Sequence, residues 1–211
     1  NPHFLYNTLN SIKWMATIQG AEGIAEMTTA LARLMKNVSK GTNVPITLRE
    51  ELELVKDYFL ILQYRYGGSI SLSCTGSGED LYDCRIHRFT LQPIIENSMF
   101  HGIEPKGQAG KITVTAMAET AGFGKVLRIS VTDNGVGMSQ EAIDKVLHGD
   151  EITSADFFRH VGINNVNRRI QYAYGENYGI SITSQVGSYT TTTITIPYFR
   201  EESYDKAIDC R

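Results

Sequence analysis

The chain has 211 residues, 42% of them hydrophobic and 20% charged, with a net charge of −3. That is enough for one large domain, or a domain with an appendage, around a real core. The weakly acidic balance gives no bulk attraction for nucleic acid or an anionic membrane surface, so any nucleotide must be held by local groups. Cys74, Cys84 and Cys210 lack metal-site spacing. An odd cysteine count without a secretory signal fits a reduced, intracellular setting. No apolar run is long enough to span a bilayer. The chain opens on Asn1-Pro2-His3. With neither initiator methionine nor signal peptide, it is expected to be a piece of something longer.

Residues 2 to about 40 read as helix. Pro2 suits a first turn, and Leu5, Leu9, Ile12 and Met15 recur at helical spacing. Gly20 and Gly23 interrupt the pattern, and Ile24, Met27, Leu31 and Leu34 continue it as a second or bent helix. A break follows at residues 41–45. Thr47 with Glu50 three residues on forms a capping-box pattern. Leu52, Val55, Phe59 and Leu62 supply the next apolar stripe, which Gly67-Gly68 ends. From about residue 69 the texture becomes α/β. Strands are predicted at 69–74, 112–118, 126–132, 180–185 and 190–196, the last strongly β-branched. Helices are predicted at 89–101, 139–147 and 163–174. Residues 148–161, with weak periodicity and few apolar anchors, are predicted to be a mobile loop, and 199–211 a polar tail.

Three motifs carry chemistry. Asn97 and His101 lie four residues apart on a helix and so share a face. An amide oxygen there suits Mg²⁺, which takes few protein ligands beside phosphate oxygens; an exposed pair on a plain helix would look the same. Asp133-Asn134-Gly135-Val136-Gly137-Met138 follows a strand. Its carboxylate can accept from an exocyclic amine such as that of adenine, and its glycines permit close backbone approach; the same residues also make ordinary turns. His160-Val161-Gly162-Ile163 runs into a helix whose first amides can hold phosphate, a weak signal alone.

In order and spacing, these motifs resemble the gyrase, chaperone, histidine-kinase and mismatch-repair (GHKL) ATPase superfamily from about residue 69 to 197. The turn Gly187-Ser188-Tyr189-Thr190 resembles its late Gly-x-Gly-Thr element, with Tyr189 in place of the second glycine. The run Asn1-Pro2-His3-Phe4-Leu5-Tyr6-Asn7-Thr8-Leu9-Asn10 resembles the phospho-acceptor box of the LytS/YesM-like sensor histidine kinases. Leu91-Gln92-Pro93-Ile94-Ile95-Glu96-Asn97 with His101-Gly102 resembles their N box. Leu48, Glu50-Glu51-Leu52 and Tyr58 match their intervening helix, and His160 to Val166 their second glycine box.

The resemblance implies an α+β chain. A truncated helical hairpin for phospho-acceptance and dimerisation (1–66) precedes a GHKL-type (Bergerat) α/β sandwich (67–198) and the tail (199–211). It implies a protein-histidine kinase that takes the γ-phosphoryl of ATP on His3 and passes it to a response regulator. A homodimer is implied, with membrane attachment only through absent upstream segments and the kinase portion cytoplasmic. Asn97 would ligate Mg²⁺ and Asp133 would read adenine. His101, Gly135, Gly137, Met138, His160, Val161, Gly162, Ile163 and Thr190 complete the expected ATP set, under a lid at about 138–161.

Some positions depart from the pattern. Phe4 follows His3 where many such kinases have an acid, so Asn7, one turn on, is the candidate to orient the ring. Pro93 stands where the hydrolases of the superfamily carry a general-base Glu, which favours the kinase. Phe100 replaces a phosphate-contacting Lys, with Arg88, Lys106 and Arg159 as candidate substitutes. The alternative is an ATP-binding module of weak or no kinase activity, used in nucleotide sensing or dimerisation.

Overall fold

The computed structural model describes residues 2–41, 44–65, 69–107, 109–148 and 157–200. Two helices open the chain, α1 (Pro2–Ile18) and α2 (Glu22–Val38). Gly20, at φ +69°, lets the first end in a left-handed turn, so the expected interruption is a true break. The second packs back on the first. Ala30 and Ala32 are buried, while Phe4, Trp14, Met15 and Ile18 on α1 are exposed.

The helix α3 (Leu48–Arg65) starts as its sequence demands. The Thr47 amide donates to Glu50 Oε2 at 2.9 Å, and the Glu50 amide donates to Thr47 Oγ1 at 3.2 Å. These reciprocal bonds satisfy two groups the helix itself leaves unpaired. Its stripe Leu52, Val55, Phe59 and Leu62 is buried as expected. Just ahead of it, β1 (Pro45–Thr47) pairs antiparallel with β3 (Arg85–His87). Three-residue strands are too short to show a period of two, so neither was legible in the sequence.

The main sheet holds β2 (Ile70–Gly76), β4 (Gly110–Ala121), β5 (Gly124–Asp133), β6 (Gly179–Gln185) and β7 (Tyr189–Pro197). Their order is β2-β4-β5-β7-β6, with β2–β4 parallel and the other pairs antiparallel. All five predicted strands are present. Alternation sorts the threonine run: Thr190 and Thr192 turn inward. Thr191 and Thr193 pair outward with the hydroxyls of Thr132 and Ser130 at 2.9 and 3.0 Å. Ile112, Val114, Ile129, Val131 and Ile194 form the inner face with Leu91, Ile94 and Ile95 from the helical layer. The α3 stripe joins this same core.

Two of the three helices predicted beyond residue 69 differ from expectation. The helix predicted at 89–101 begins later, as α4 (Gln92–Asn97), and widens into a π-helical turn at Ser98–Ile103. Phe89 has φ +57° and cannot be helical, and Pro93 takes the first turn, where proline is welcome. The third, α6 (Phe157–Tyr174), begins six residues before the predicted 163. Between them α5 (Gln140–His148) falls where predicted. Most of the predicted mobile loop, residues 149–156, and most of the predicted tail lie outside the described residues.

Candidate functional site

A cleft of about 600 Å³ opens beside α4, within the usual size of small-molecule sites. Pro93, Glu96, Asn97, Phe100 and His101 line one wall. Glu104 and Pro105 extend it, and Val146 of α5 with Gly162 and Ile163 of α6 form the other side. Tyr58 reaches in from α3. The π-helical turn starts immediately after Asn97, a widening often found at functional sites. Asn97 and His101 therefore do meet in one cavity.

A second group of candidates gathers at the end of β5, behind Gly102. Asp133 is 1% exposed. Its Oδ1 accepts the Gly135 amide at 2.9 Å, and its Oδ2 is buried with no hydrogen-bond partner. Burial pushes its pKa up, against the downward pull of the Gly135 amide, the Ser98 hydroxyl and Lys106. An unsatisfied buried acceptor is expensive. That oxygen is left with room for one further donor. Thr190 is the cross-strand partner of Asp133. Ser184 donates to the Tyr189 carbonyl at 2.6 Å. The same hydroxyl accepts the Met138 amide at 2.8 Å and meets Thr190 Oγ1 at 2.9 Å, so Thr190 is the donor in that pair.

The glycines serve packing. A Cβ on Gly102 would stand 2.7 Å from Asp133 Oδ1, and one on Gly135 would fall on the Gly102 backbone. One on Gly137, at φ +69°, would strike the Gln185 carbonyl. Val136 fastens the turn on both sides: its amide donates to the Gly102 carbonyl at 2.9 Å and its carbonyl accepts the Gly187 amide at 2.6 Å. The close approach predicted for Gly135 and Gly137 is thus chain against chain.

Gly162 is corrected in one respect. It lies inside α6 and not at the start, so the first amides of that helix are not its neighbours. A Cβ there would stand 3.0 Å from Pro93 Cβ, which makes Gly162 the residue that lets α6 close on α4. Arg88 is corrected as a phosphate contact: it is 4% exposed and donates to the Gly41 carbonyl at 3.0 Å. Lys106 is tied to the Asn134 carbonyl at 2.7 Å. The side chains of His3, Arg159, His160 and Val161 lie outside the described residues. Asn7 is exposed on α1. The sequence reading named Glu96 in the N box and Tyr58 on the intervening helix but gave neither a place in the site. Glu96 adjoins Asn97, and Tyr58 follows the buried Val55 by one helical turn, signals that, added to those matches, could have placed them there.

A mixed sheet under helices, with an Asn-bearing helix leading into the turn packed on a strand-end aspartate, defines a sandwich of the GHKL kind. The chain belongs to the histidine kinases: residues 1–70 match the histidine kinase family and residues 86–200 the histidine kinase-, DNA gyrase B- and HSP90-like ATPase family. It is similar to the sensor histidine kinase YesM of Bacillus subtilis, 32% identical over 93% of this chain and 32% of that protein. It is also similar to the sensor histidine kinase/phosphatase LytS of Staphylococcus aureus, 29% identical over 96% of this chain and 33% of that protein. The chain thus spans about a third of the length of these curated relatives. Among solved structures, the catalytic domain of histidine kinase ThkA superposes with a TM-score of 0.53 at 19% identity, covering 75% of this chain and 98% of that one. ThkA in complex with its response regulator protein TrrA superposes with a TM-score of 0.52 at 17% identity, covering 94% of this chain and 58% of that one. No helix among the described residues is long and apolar enough to cross a membrane.

Proposed function

We propose that this chain is the kinase portion of a two-component sensor histidine kinase, which binds ATP with Mg²⁺, phosphorylates its own His3 and passes the phosphoryl group to a response regulator. The observation that carries the reading is the buried, partnerless Oδ2 of Asp133, packed against Gly102, the residue after His101, which with Asn97 lines the cleft. A purine amine would supply the missing donor. The Asn97 amide oxygen, with Glu96 beside it, offers hard ligands for Mg²⁺. Bound Mg²⁺ would neutralise charge on the phosphates. His101 on one wall, with Gly162 and Ile163 on the other, holds and orients the nucleotide, and Thr190 and Met138 brace the aspartate end. Val161 and His160 directly precede Gly162 on α6.

His3 lies in the first turn of α1. A neutral imidazole is a nucleophile near pH 7. Its nitrogen forms the new bond to the γ-phosphorus as the bond to the β-phosphate oxygen breaks; ADP departs and the ring sheds its other proton on return to neutrality. Positioning and charge neutralisation do most of the work in such transfers. Asn7, one turn along, orients the ring. The TrrA complex of ThkA supports a response regulator as partner. The exposed Phe4, Trp14, Met15 and Ile18 support a homodimer through α1. A cytoplasmic position in a membrane sensor is what the family resemblance implies, and YesM and LytS are themselves named sensor histidine kinases.

The test is radiolabelled ATP with the wild type, His3→Ala and Asn7→Ala. Label should vanish with His3 and accumulate more slowly with Asn7→Ala; label that persists without His3 overturns the assignment. One observation favours a second reading, a module that binds nucleotide with weak or no transfer. Phe100 lines the cleft where a phosphate-contacting Lys was expected, beside the carboxylates Glu96 and Glu104. Nucleotide binding without any label on the wild type would establish that reading.

A further inference from the structure

Resting on the reading that the cleft takes ATP, we infer that Glu51 is a positioning residue for the nucleotide site: its carboxylate fixes the segment from which the Asn97 helix is hung. Glu51 sits on α3, 1% exposed. Its Oε2 accepts the Phe89 amide at 3.0 Å and its Oε1 the Leu91 amide at 2.8 Å. Those amides immediately precede α4. Phe89, with φ +57°, is the only non-glycine at positive φ among the described residues. An aromatic side chain is strained there, and such strain persists only where the surroundings over-determine it.

The surroundings do so from three sides. Glu51 holds residues 89 and 91 from α3. Arg169 of α6 donates to Thr90 Oγ1 at 2.9 Å and lies 3.5 Å from the Phe89 carbonyl. Thr90 in turn donates to the His87 carbonyl of β3 at 2.6 Å. Gripped this way, the start of α4 has one rotational setting, and that setting aims Asn97 and His101. The same helix α3 brings Tyr58 into the cleft two turns further on. It is tied to α2 by Arg33 and Asp57 at 2.6 Å. One rigid element therefore joins the acceptor hairpin to the nucleotide wall.

A purely structural role would be filled more cheaply by a neutral acceptor, since burying a carboxylate is costly. That cost is visible: burial raises the Glu51 pKa to about 7, against the pull of the Leu91, Phe89 and Thr90 amides and of Arg169. The ionisable groups that precede the gripped segment are His87, bonded to Tyr174 of α6 at 3.3 Å, and Arg88, whose guanidinium turns to Gly41. Burial, and after it the Arg169 charge, hold the His87 pKa low. Only the ionised carboxylate offers full acceptors to both amides, so the grip tightens as pH rises.

The experiment is calorimetric titration of the whole chain with a non-hydrolysable ATP analogue and Mg²⁺. It compares wild type with Glu51→Gln from pH 6 to pH 8, at a temperature where thermal melts show both folded. The variant should bind about fivefold more weakly at pH 8, the worth of one hydrogen bond, and nearly equally at pH 6. Equal affinity at both ends overturns the inference and leaves ATP binding intact; no binding by the wild type sinks both. Should Glu51→Gln fail to fold, the wild type alone decides. The NMR shifts of the Phe89 and Leu91 amides should titrate with Glu51, and bound analogue should lower their midpoint, because coupling is reciprocal. A midpoint that nucleotide does not move overturns the inference.

Discussion

At the scale of single residues, Asp133 separates binding from stability. Its carboxylate is buried, one oxygen lacks a partner and burial lifts its pKa. The sign follows from linkage. A raised folded-state pKa gives stability that is complete below the unfolded value, about 3.9, and lost as pH rises through the folded one. Asp133→Asn removes that loss and keeps an oxygen for the Gly135 amide. Thermal melts at rising pH should therefore show the variant gaining on the wild type. Its nucleotide affinity should fall roughly tenfold to a hundredfold, the worth of a charge-assisted hydrogen bond. A variant that binds as tightly as the wild type would remove Asp133 from the adenine role. This residue was legible in the sequence because a strand-ending Asp-x-Gly-x-Gly is a local pattern. Glu51 was legible only as part of the match to the family's intervening helix, and not as a grip on another segment, since its partners Phe89 and Leu91 lie 38 and 40 residues away.

At the scale of elements, the turn after β5 is clamped between the π-helical turn and the β6–β7 hairpin. Its glycines exist because backbone meets backbone there. Gly135→Ala would drive a methyl into the Gly102 main chain, which yields far less readily than a side-chain tip. The variant should lose about 2 kcal/mol in urea melts, the usual cost of overpacking. It should also lose nucleotide affinity, because the displaced Gly102 abuts Asp133. Unchanged stability would show that the π-helical turn can move aside. Strand periods, the α3 capping box and the Gly20 break were readable because each depends on near neighbours. The late start of α4, its π-helical widening and the early start of α6 were not. Phe89 is held left-handed by groups from two other helices, and the apolar spacing of residues 163–174 carries no mark of the six residues before it.

At the scale of the whole molecule, α3 decides where one unit ends. The sequence places it with the acceptor hairpin, and the family matches also divide the chain after it, at residue 70. Packing tells another story. Leu48, Leu52, Leu54, Val55, Phe59 and Leu62 are each less than a tenth exposed and share one core with Ile86, Leu91, Ile94 and the sheet. Burial of six such side chains contributes on the order of 10 kcal/mol. That is comparable with the entire stability of a domain. A chain beginning at residue 67 should therefore be unfolded or molten. One beginning at residue 44 keeps α3, β1 and the Glu51 grip, loses the exposed α1 face, and should melt cooperatively, bind nucleotide and sediment as a monomer. The full chain should sediment as a dimer if α1 carries the contact. A cooperative melt from the chain starting at 67 would return α3 to the hairpin, and with it the idea that the nucleotide site is built on the helix leading from the acceptor.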